Sequence, residues 1–329
     1  MHGLRGIGLG RPCRGGARGV RPCNGLGGWS VAEQVYPGRA GKRPSAELCS
    51  RLVHNELVVS RTLRRPAFKE LVDTSLLMRV ARGTPGLNRC LMWLARRYPE
   101  NSIVTIRSGL ARGLLWRRHH RYVSAYWLGY YELEIQRALK QHLRHGDRFF
   151  DVGGNAGFFT LVAARLVGPG GAVVAFEPLP ESAASIREQV ALNNLPWCRT
   201  IQEAISDQPG SASFAYDQPG SSIAHLGQAA TTEQAIEVKV TTLDEACRRY
   251  GEPQMLKLDI EGAETRALAG ARQLLSEVKP TWLVELHGPG CERAVPRMLQ
   301  EAGYRLSDLS GTALDGKARL PRHILAKIH

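Results

Sequence analysis

The sequence predicts an α/β protein with a mostly parallel sheet, and three observations support that class. From residue 148 onward, short apolar strands alternate with helical stretches, a pattern typical of a parallel sheet covered by helices. Hydrophobic residues make up 43% of the 329 residues and charged residues 22%, as in globular proteins. No apolar run approaches the roughly 18 residues of a membrane-spanning helix, so a polytopic membrane protein is excluded.

The sheet region predicts seven strands and four main helices. The strands are Arg148–Val152, Ala172–Phe176, Arg199–Ala204, Met255–Leu258, Thr281–Leu286, Tyr304–Leu306 and His323–Ile328. The helices lie at 157–167, 180–194, 263–276 and 292–302. An extra hairpin, Ala212–Tyr216 with Ile236–Val240, is predicted in mid-domain, and a helix over Leu133–Leu143 leads into the first strand.

The part before the sheet divides by composition. Residues 1–45 contain 12 Gly, 8 Lys or Arg and one acid. They bury too little apolar surface to offset their ordering entropy and are predicted to be a disordered tail. Residues 46–124 predict a helical extension, because Leu and Val recur at helical spacing, and 125–329 form the sheet domain. The basic and aromatic residues from Arg117 to Tyr131 indicate a cap helix packed on this domain, or a surface for an anionic or sugar-containing substrate.

The net charge of +14 is concentrated at the front of the chain. Residues 1–150 carry 27 Lys and Arg against 9 Asp and Glu, whereas residues 151–329 carry 17 against 21. A nucleic-acid partner would therefore be bound by the front part, as by an RNA-binding arm. The seven cysteines have no metal-binding spacing, which predicts free thiols in a reducing cytoplasm. A mitochondrial leader is the alternative interpretation of the Arg-rich start.

The first chemical motif is a strand, a glycine turn and a helix, running from Asp151 to Gly157. Glycines allow a backbone to approach a ligand closely. The turn lacks the Gly-x-Gly-x-x-Gly pattern of a dinucleotide site, and Asp151 would repel a pyrophosphate. An acid in this place suits a positively charged ligand, such as the ammonium or sulfonium group of S-adenosylmethionine.

A second acid, Glu177, ends the next strand about 25 residues after the glycine turn. In that position a carboxylate accepts hydrogen bonds from the two hydroxyls of a ribose. The alternative interpretation is a solvated loop acid.

Two later strand ends carry further polar residues. Asp259, at the carboxyl end of one strand, is directed to the crevice where α/β proteins bind ligands, whereas Glu261 and Glu264 could merely favour a helix N-terminus. Glu285 and His287 are two apart and project to the same face of the next strand. With Asp259 they can form a cluster that accepts a proton or holds a divalent ion, unless His287 is purely structural.

Together these motifs resemble the FkbM family of S-adenosylmethionine-dependent methyltransferases over about residues 125–328. The matching segments are Gly129–Glu132, Asp151–Gly157, Glu177-Pro178, Asn193-Asn194, Thr242–Asp244, Lys257–Glu264 and Glu285–His287. The chain departs from the family at Gly154-Asn155-Ala156, where the family more often has Ala-Asn and a larger apolar residue. The resemblance implies a Rossmann-like class I methyltransferase fold, with a seven-stranded, mostly parallel sheet and an antiparallel last strand.

The resemblance also implies methyl transfer to a hydroxyl of a sugar, glycan or secondary metabolite. The expected residues for the methionine part of the cofactor are Asp151, Gly153, Asn155 and Gly157, with Glu177 for the ribose and Glu203 and Ala204 for the adenine. The expected catalytic residues are Asp259, Glu285 and His287, of which Asp259 and Glu285 would hold Mg²⁺ if an ion is used.

An alcohol must lose its proton to become a good nucleophile, and His287 or Asp259 is the predicted proton acceptor. The choice of acceptor is predicted to depend on the cap, about residues 90–135, and on the inserted segment Tyr216–Ala235. Within that segment, Gly220–Ile223 resembles a family loop near the active site and is a candidate for contact with the acceptor. The rival functions are an RNA methyltransferase or nucleic-acid-binding protein that uses the basic front end, and a scaffold protein with an inactive cofactor fold. The acidic sheet domain disfavours a nucleic-acid partner.

Overall fold

The computed structural model describes residues 99–119, 121–122, 125–216, 224–226, 234–315 and 319–328. The helices are α1 (Ala125–Leu128), α2 (Leu133–His142), α3 (Phe158–Val167), α4 (Pro180–Leu192), α5 (Leu243–Tyr250), α6 (Glu264–Ala269) and α7 (Gly288–Glu301), with a π-helical turn at Leu274–Val278. The strands are β1 (Ile103–Thr105), β2 (Leu115–Arg117), β3 (Arg148–Val152), β4 (Ala172–Phe176), β5 (Cys198–Ile201), β6 (Ala204–Ile205), β7 (Gly210–Tyr216), β8 (Ala224–Leu226), β9 (Gln234–Thr241), β10 (Met255–Leu258), β11 (Thr281–Glu285), β12 (Arg305–Ser307) and β13 (His323–Lys327).

A seven-stranded sheet in the order β12-β13-β11-β10-β3-β4-β5 forms the centre of the domain. Strands β3, β4, β5, β10 and β11 run parallel, whereas β13 is antiparallel to both β11 and β12. The predicted sheet, mostly parallel with an antiparallel last strand, is therefore confirmed. Because β13 runs in the opposite direction, its first residues lie beside the carboxyl ends of the parallel strands.

The inserted hairpin is also confirmed, but the chain enters it earlier than predicted. Strands β7 and β9 pair antiparallel within a separate four-stranded sheet of order β6-β9-β7-β8. The predicted strand Arg199–Ala204 is divided, because β5 ends at Ile201 and Ala204 pairs with Val240 of β9 instead. The predicted acceptor segment Gly220–Ile223 lies outside the described residues.

The predicted helix 263–276 is interrupted at Gly270. A Cβ atom at this position would collide with the carbonyl oxygen of Ser206, so only glycine allows the two segments to approach. Helix α6 ends before Gly270, and the chain resumes as the π-helical turn. None of the described helices has the length and apolar composition needed to cross a bilayer.

The predicted helical extension is wrong where it can be compared. Residues 99–119 contain the antiparallel pair β1–β2 in place of a helix, consistent with the β-branched run Ile103–Thr105. The cap helix is likewise short, since α1 spans only Ala125–Leu128. Aromatic residues of both elements do pack on the sheet domain, as Trp116 of β2 and Tyr126 of α1 both contact Phe158 of α3. Residues 1–98 lie outside the described part of the chain.

Strand β2 is attached to the domain by two side-chain amides, one within α4 and one just after its last residue. Asn193, which follows α4, bonds both the N–H and the C=O of Leu115, at 2.7 and 2.8 Å. Gln189 does the same with Arg117, at 2.9 Å for both bonds. The two amides thus satisfy backbone groups on the free edge of β2 as a neighbouring strand would.

The alternation of side chains places the polar centre of the sheet on one face. Phe149, Met255 and Leu283 belong to the core that includes residues of α2, α3 and the cap. Asp151, Lys257 and Glu285 follow these three residues by two positions along their strands, so they project to the same face. The described residues therefore form a polar cluster at the carboxyl edge of the sheet, beneath the cap.

Candidate active site

The glycine turn after β3 packs against the end of β10. Gly153 has a φ of 88°, and a Cβ atom there would collide with the carbonyl oxygen of Asp259. Gly157 has a φ of 93° and would place a Cβ atom 3.2 Å from Cα of Ile186 in α4. These glycines are required by contacts within the protein, which hold the turn and the Asp259 loop together at one site.

Asp151 and Asn155 each offer a buried acceptor that has no partner among the described residues. Asp151 is fully buried; its Oδ2 accepts a 2.6 Å hydrogen bond from the hydroxyl of Thr160, whereas Oδ1 has no partner. The Oδ1 atom of Asn155 is also buried and unbonded. Burial raises the pKa of Asp151, although the charge of Lys257 opposes this shift. Two free acceptors fit a ligand that brings N–H donors or positive charge.

Glu177 is buried, so its interpretation as a solvated loop acid is wrong. The residue is 6% exposed, and its two oxygens accept the backbone N–H groups of Leu179 at 2.9 Å and Asn155 at 2.8 Å. Burial raises the pKa of Glu177 to about 7, against the effect of both hydrogen bonds. Each oxygen keeps a second lone pair, which suits the predicted pair of ribose hydroxyls.

Of the two residues predicted to contact adenine, Glu203 has its carboxylate bound to another side chain and Ala204 is buried. The carboxylate of Glu203 forms a forked ion pair with Arg249 of α5, at 2.7 and 3.0 Å. Ala204 is buried in β6. The structure thus engages Glu203 in a protein contact, and a role at the adenine would use its backbone or its aliphatic part.

Asp259 is held by a buried ammonium group. Lys257 is 1% exposed, and its Nζ atom lies 2.6 Å from Oδ2 of Asp259. Burial alone would lower the pKa of Lys257, but the charges of Asp259 and Asp151 outweigh it and raise the pKa well above its ordinary value. Lys257 is therefore a cation at any physiological pH.

His287 lies among four carboxylates. Its Nδ1 atom contacts Oε1 of Glu264 at 2.8 Å, and its Nε2 atom lies 3.2 Å from Glu285, 3.3 Å from Glu261 and 3.8 Å from Asp259. Burial lowers the pKa of His287, but the contacts with Glu264 and Glu285 outweigh this and raise it to about 10. The structure thus brings the predicted trio Asp259, Glu285 and His287 together, with His287 as an imidazolium at neutral pH.

Glu285 is stabilised as an anion from two sides. His323, its register partner on β13, contacts it at 2.9 Å through Nε2, and Arg322 contacts its other oxygen. Burial raises the pKa of Glu285, but the contacts with His287 and His323 outweigh it and hold the pKa well below the usual range. His323 was predicted only as a strand residue, because its pairing with Glu285 depends on the register of β13.

Glu261 and Glu264, which follow β10, also belong to the site, because both contact His287. Glu264 is fully buried, and its Oε1 atom accepts the N–H groups of Ile260 and Gly262 besides contacting His287. Burial raises the pKa of Glu261 to about 7. The spacing of the three acids indicated this site, but a helix N-terminus explained it equally well.

The cap adds aromatic rings and one more acid to this edge. Tyr131 packs on Phe159 at 5.7 Å between ring centroids, and Lys257 lies 5.3 Å from the centroid of Phe159. Burial raises the pKa of Tyr131 far above its ordinary value. Glu132 has a φ of 40°, and burial raises its pKa as well. Tyr131 and Glu132 therefore cover part of the polar cluster, in which Asp259 and His287 remain partly exposed.

Among the described residues, two sets of three side chains bring possible metal-ligand atoms within 4.8 Å of one another. One set is Asp259, Glu285 and His287, and the other is Glu132, Glu285 and His323. Mixed nitrogen and oxygen donors are compatible with divalent ions. However, Asp259 and Glu285 are already paired with Lys257 and Arg322, which an ion would have to displace. These residues therefore fit a metal ion poorly, because basic side chains already neutralise the negative charge of the carboxylates.

The seven-stranded sheet, with its antiparallel strand β13, has the arrangement that the resemblance to the FkbM family implies. The sequence model of the protein family described as the methyltransferase FkbM domain matches residues 151–306. The 31-O-demethyl-FK506 methyltransferase FkbM of Streptomyces tacrolimicus is 31% identical over 191 residues, which cover 45% of this chain and 73% of that protein. The hexuronic acid methyltransferase AglP of Haloferax volcanii is 26% identical over 174 residues, covering 52% and 69% respectively. The chain belongs to the FkbM family and is a methyltransferase.

Solved structures show more distant similarity. The methyltransferase FkbM of Methylobacillus flagellatus is 17% identical with a TM-score of 0.39, and the match covers 55% of this chain and 43% of that one. The fibrillarin of Aeropyrum pernix, solved with natively bound S-adenosyl-L-methionine, is 15% identical with a TM-score of 0.35, over 56% and 67%. This chain thus spans less than half of the Methylobacillus chain.

Proposed function

We propose that this methyltransferase moves the methyl group of S-adenosylmethionine to a hydroxyl of a sugar, glycan or secondary metabolite. The observation that carries the proposal is the set of buried acceptors at the carboxyl ends of β3 and β4. Asp151 and Asn155 present unpartnered buried acceptors, and Glu177 presents a buried carboxylate with spare lone pairs. One relative named above is a 31-O-demethyl-FK506 methyltransferase and another is a hexuronic acid methyltransferase, which supports a secondary metabolite or a sugar as the acceptor.

The bound cofactor supplies a methyl group already activated by its positively charged sulfur. The remaining tasks of the protein are to align the acceptor and to remove its proton. We assign proton removal to Asp259, because His287 already carries a proton at neutral pH. His287, fixed by Glu264, then orients the carboxylates around it.

The same contacts favour catalysis without a metal ion. Lys257 already occupies Oδ2 of Asp259, and His323 and Arg322 occupy the oxygens of Glu285. The second candidate function, RNA methylation, depends on the basic front end, most of which lies outside the described residues. No contact among the described residues favours it.

Calorimetric titration with S-adenosylmethionine and, separately, NAD⁺ tests the proposed cofactor. We expect binding of S-adenosylmethionine alone, with a rise in melting temperature, because a ligand that binds only the folded state stabilises it. Binding of NAD⁺ alone, or of neither compound, would remove the proposal. Glu177→Ala should weaken binding by about 10²-fold, since hydrogen bonds to a charged acceptor are among the stronger ones.

Kinetics of single variants test the roles in proton removal. Asp259→Asn should lower kcat by about 10²-fold or more, because a general base contributes at least that much, while cofactor affinity stays within a few-fold. His287→Ala should also lower kcat, through loss of orientation. The exposed acid Asp315 provides the control Asp315→Asn, with unchanged turnover. Wild-type kcat in Asp259→Asn would exclude Asp259 as the base.

A further inference from the structure

Lys257 is a buried cation at the centre of the parallel sheet. On β10 it pairs in register with Asp151 of β3, and the two side chains share one face. Lysine is almost never fully buried unless it is paired, and here its partner is Asp259 at 2.6 Å. The side chain is therefore held in place by contacts with the acids of the site.

The contact with Lys257 gives the two carboxylate oxygens of Asp259 different surroundings. Oδ2 is bound by the ammonium group, whereas Oδ1 faces His287 across 3.8 Å, too far for a hydrogen bond. The carboxylate is therefore fixed in one orientation, with Oδ1 available to another donor. The same ammonium also lies beside Asp151, its register partner on β3, and the two side chains attract each other.

We propose that Lys257 is a positioning residue for methyl transfer, which rests on the proposed function of the site. It holds the carboxylate of Asp259 so that Oδ1 meets the acceptor hydroxyl. In the reaction the hydroxyl proton passes to Oδ1. The acceptor oxygen forms its bond to the methyl carbon as the bond from that carbon to the cofactor sulfur breaks, and the electron pair remains on sulfur. Lys257 keeps its proton throughout.

Lys257→Met tests this role, because methionine has a similar length without the charge. We expect kcat to fall by about 10²-fold, since small misplacements of reacting groups have effects of that size. Affinity for S-adenosylmethionine should stay within about fivefold, because Asp151 and Glu177 remain. Leu256→Met, one position away on the opposite face of β10, is the matched control and should keep wild-type turnover.

The double variant Lys257→Met/Asp259→Asn separates positioning from fold stability. If Lys257 acts through Asp259, the double variant should be no slower than Asp259→Asn, whereas independent effects multiply. Lys257→Gln, also uncharged but polar, provides a second variant if Lys257→Met does not fold, with the same expected loss. Wild-type kcat in a folded Met or Gln variant, or multiplied losses in the double variant, would overturn the proposal. A wild-type enzyme that does not bind S-adenosylmethionine would instead contradict the proposed function.

Discussion

At the scale of single residues, the buried carboxyl group of Glu177 titrates near neutral pH. Its pKa is raised to about 7 by burial, against two backbone hydrogen bonds. An ionised carboxylate only accepts hydrogen bonds, whereas a protonated one has lost part of that capacity. The proposed ribose contact should therefore depend on pH in the physiological range.

Affinity for S-adenosylmethionine should accordingly fall at lower pH. A group with a pKa of about 7 is about nine-tenths ionised at pH 8 and about one-tenth ionised at pH 6, so affinity should drop about tenfold between these values. Titration calorimetry at several pH values measures this. Glu177→Gln should bind more weakly and without that dependence; an equally steep dependence in this variant would place the titrating group elsewhere.

The stability of the ligand-free enzyme should change in the opposite direction. The folded protein keeps a proton on Glu177 between its ordinary pKa of 4.5 and about 7, where the unfolded chain has lost it. The contribution of this group to the free energy of unfolding is therefore present below about pH 4.5 and is lost as pH rises to about 7. Chemical unfolding of the wild type and of Glu177→Gln separates this contribution from those of other groups.

At the scale of elements, the attachment of β2 to α4 explains how the cap reaches the site. The side chains of Gln189 and Asn193 pair with the backbone of β2 in place of another strand. Trp116 of β2 is buried against Tyr126, and Tyr126 stacks on Phe158. The aromatic layer over the polar cluster therefore depends on two amide side chains.

Gln189→Ala should destabilise the enzyme by about 1–3 kcal/mol, because it leaves the N–H and C=O of Arg117 without their partners. Arg187→Ala, at an exposed position of the same helix, is the control and should change stability by no more than about 0.5 kcal/mol. Thermal and denaturant unfolding measure the difference. Equal stability of the two variants would show that the hydrogen bonds of Gln189 do not stabilise the cap.

At the scale of the whole molecule, the sheet could be predicted because buried parallel strands are apolar runs separated by helices. Strands β3, β4 and β10 have the predicted bounds. The hairpin β1–β2 could not be predicted in this way, because β2 is held by Gln189 and Asn193, which lie 72 and 78 residues further along the chain from their partners. The spacing of residues within a short segment does not indicate a partner so far away in the sequence.

In the candidate site too, some contacts could be predicted from the sequence and others could not. The grouping of Asp259, Glu285 and His287 was predictable, since all three lie at the ends of adjacent parallel strands. The contact of His323 with Glu285 depends on the register of an antiparallel strand, and the carboxylate of Glu203 is engaged by Arg249 from another helix. Contacts of this kind depend on tertiary packing and not on local pattern.

The reversed direction of β13 has a consequence for synthesis of the enzyme. His323 reaches the polar cluster only when β13 has paired with β11 along residues 323–326. A ribosome adds these residues after all the other strands of the sheet, so a growing chain can fold most of the domain while Glu285 still lacks its partner. The centre would thus be completed only after the rest of the domain has been translated.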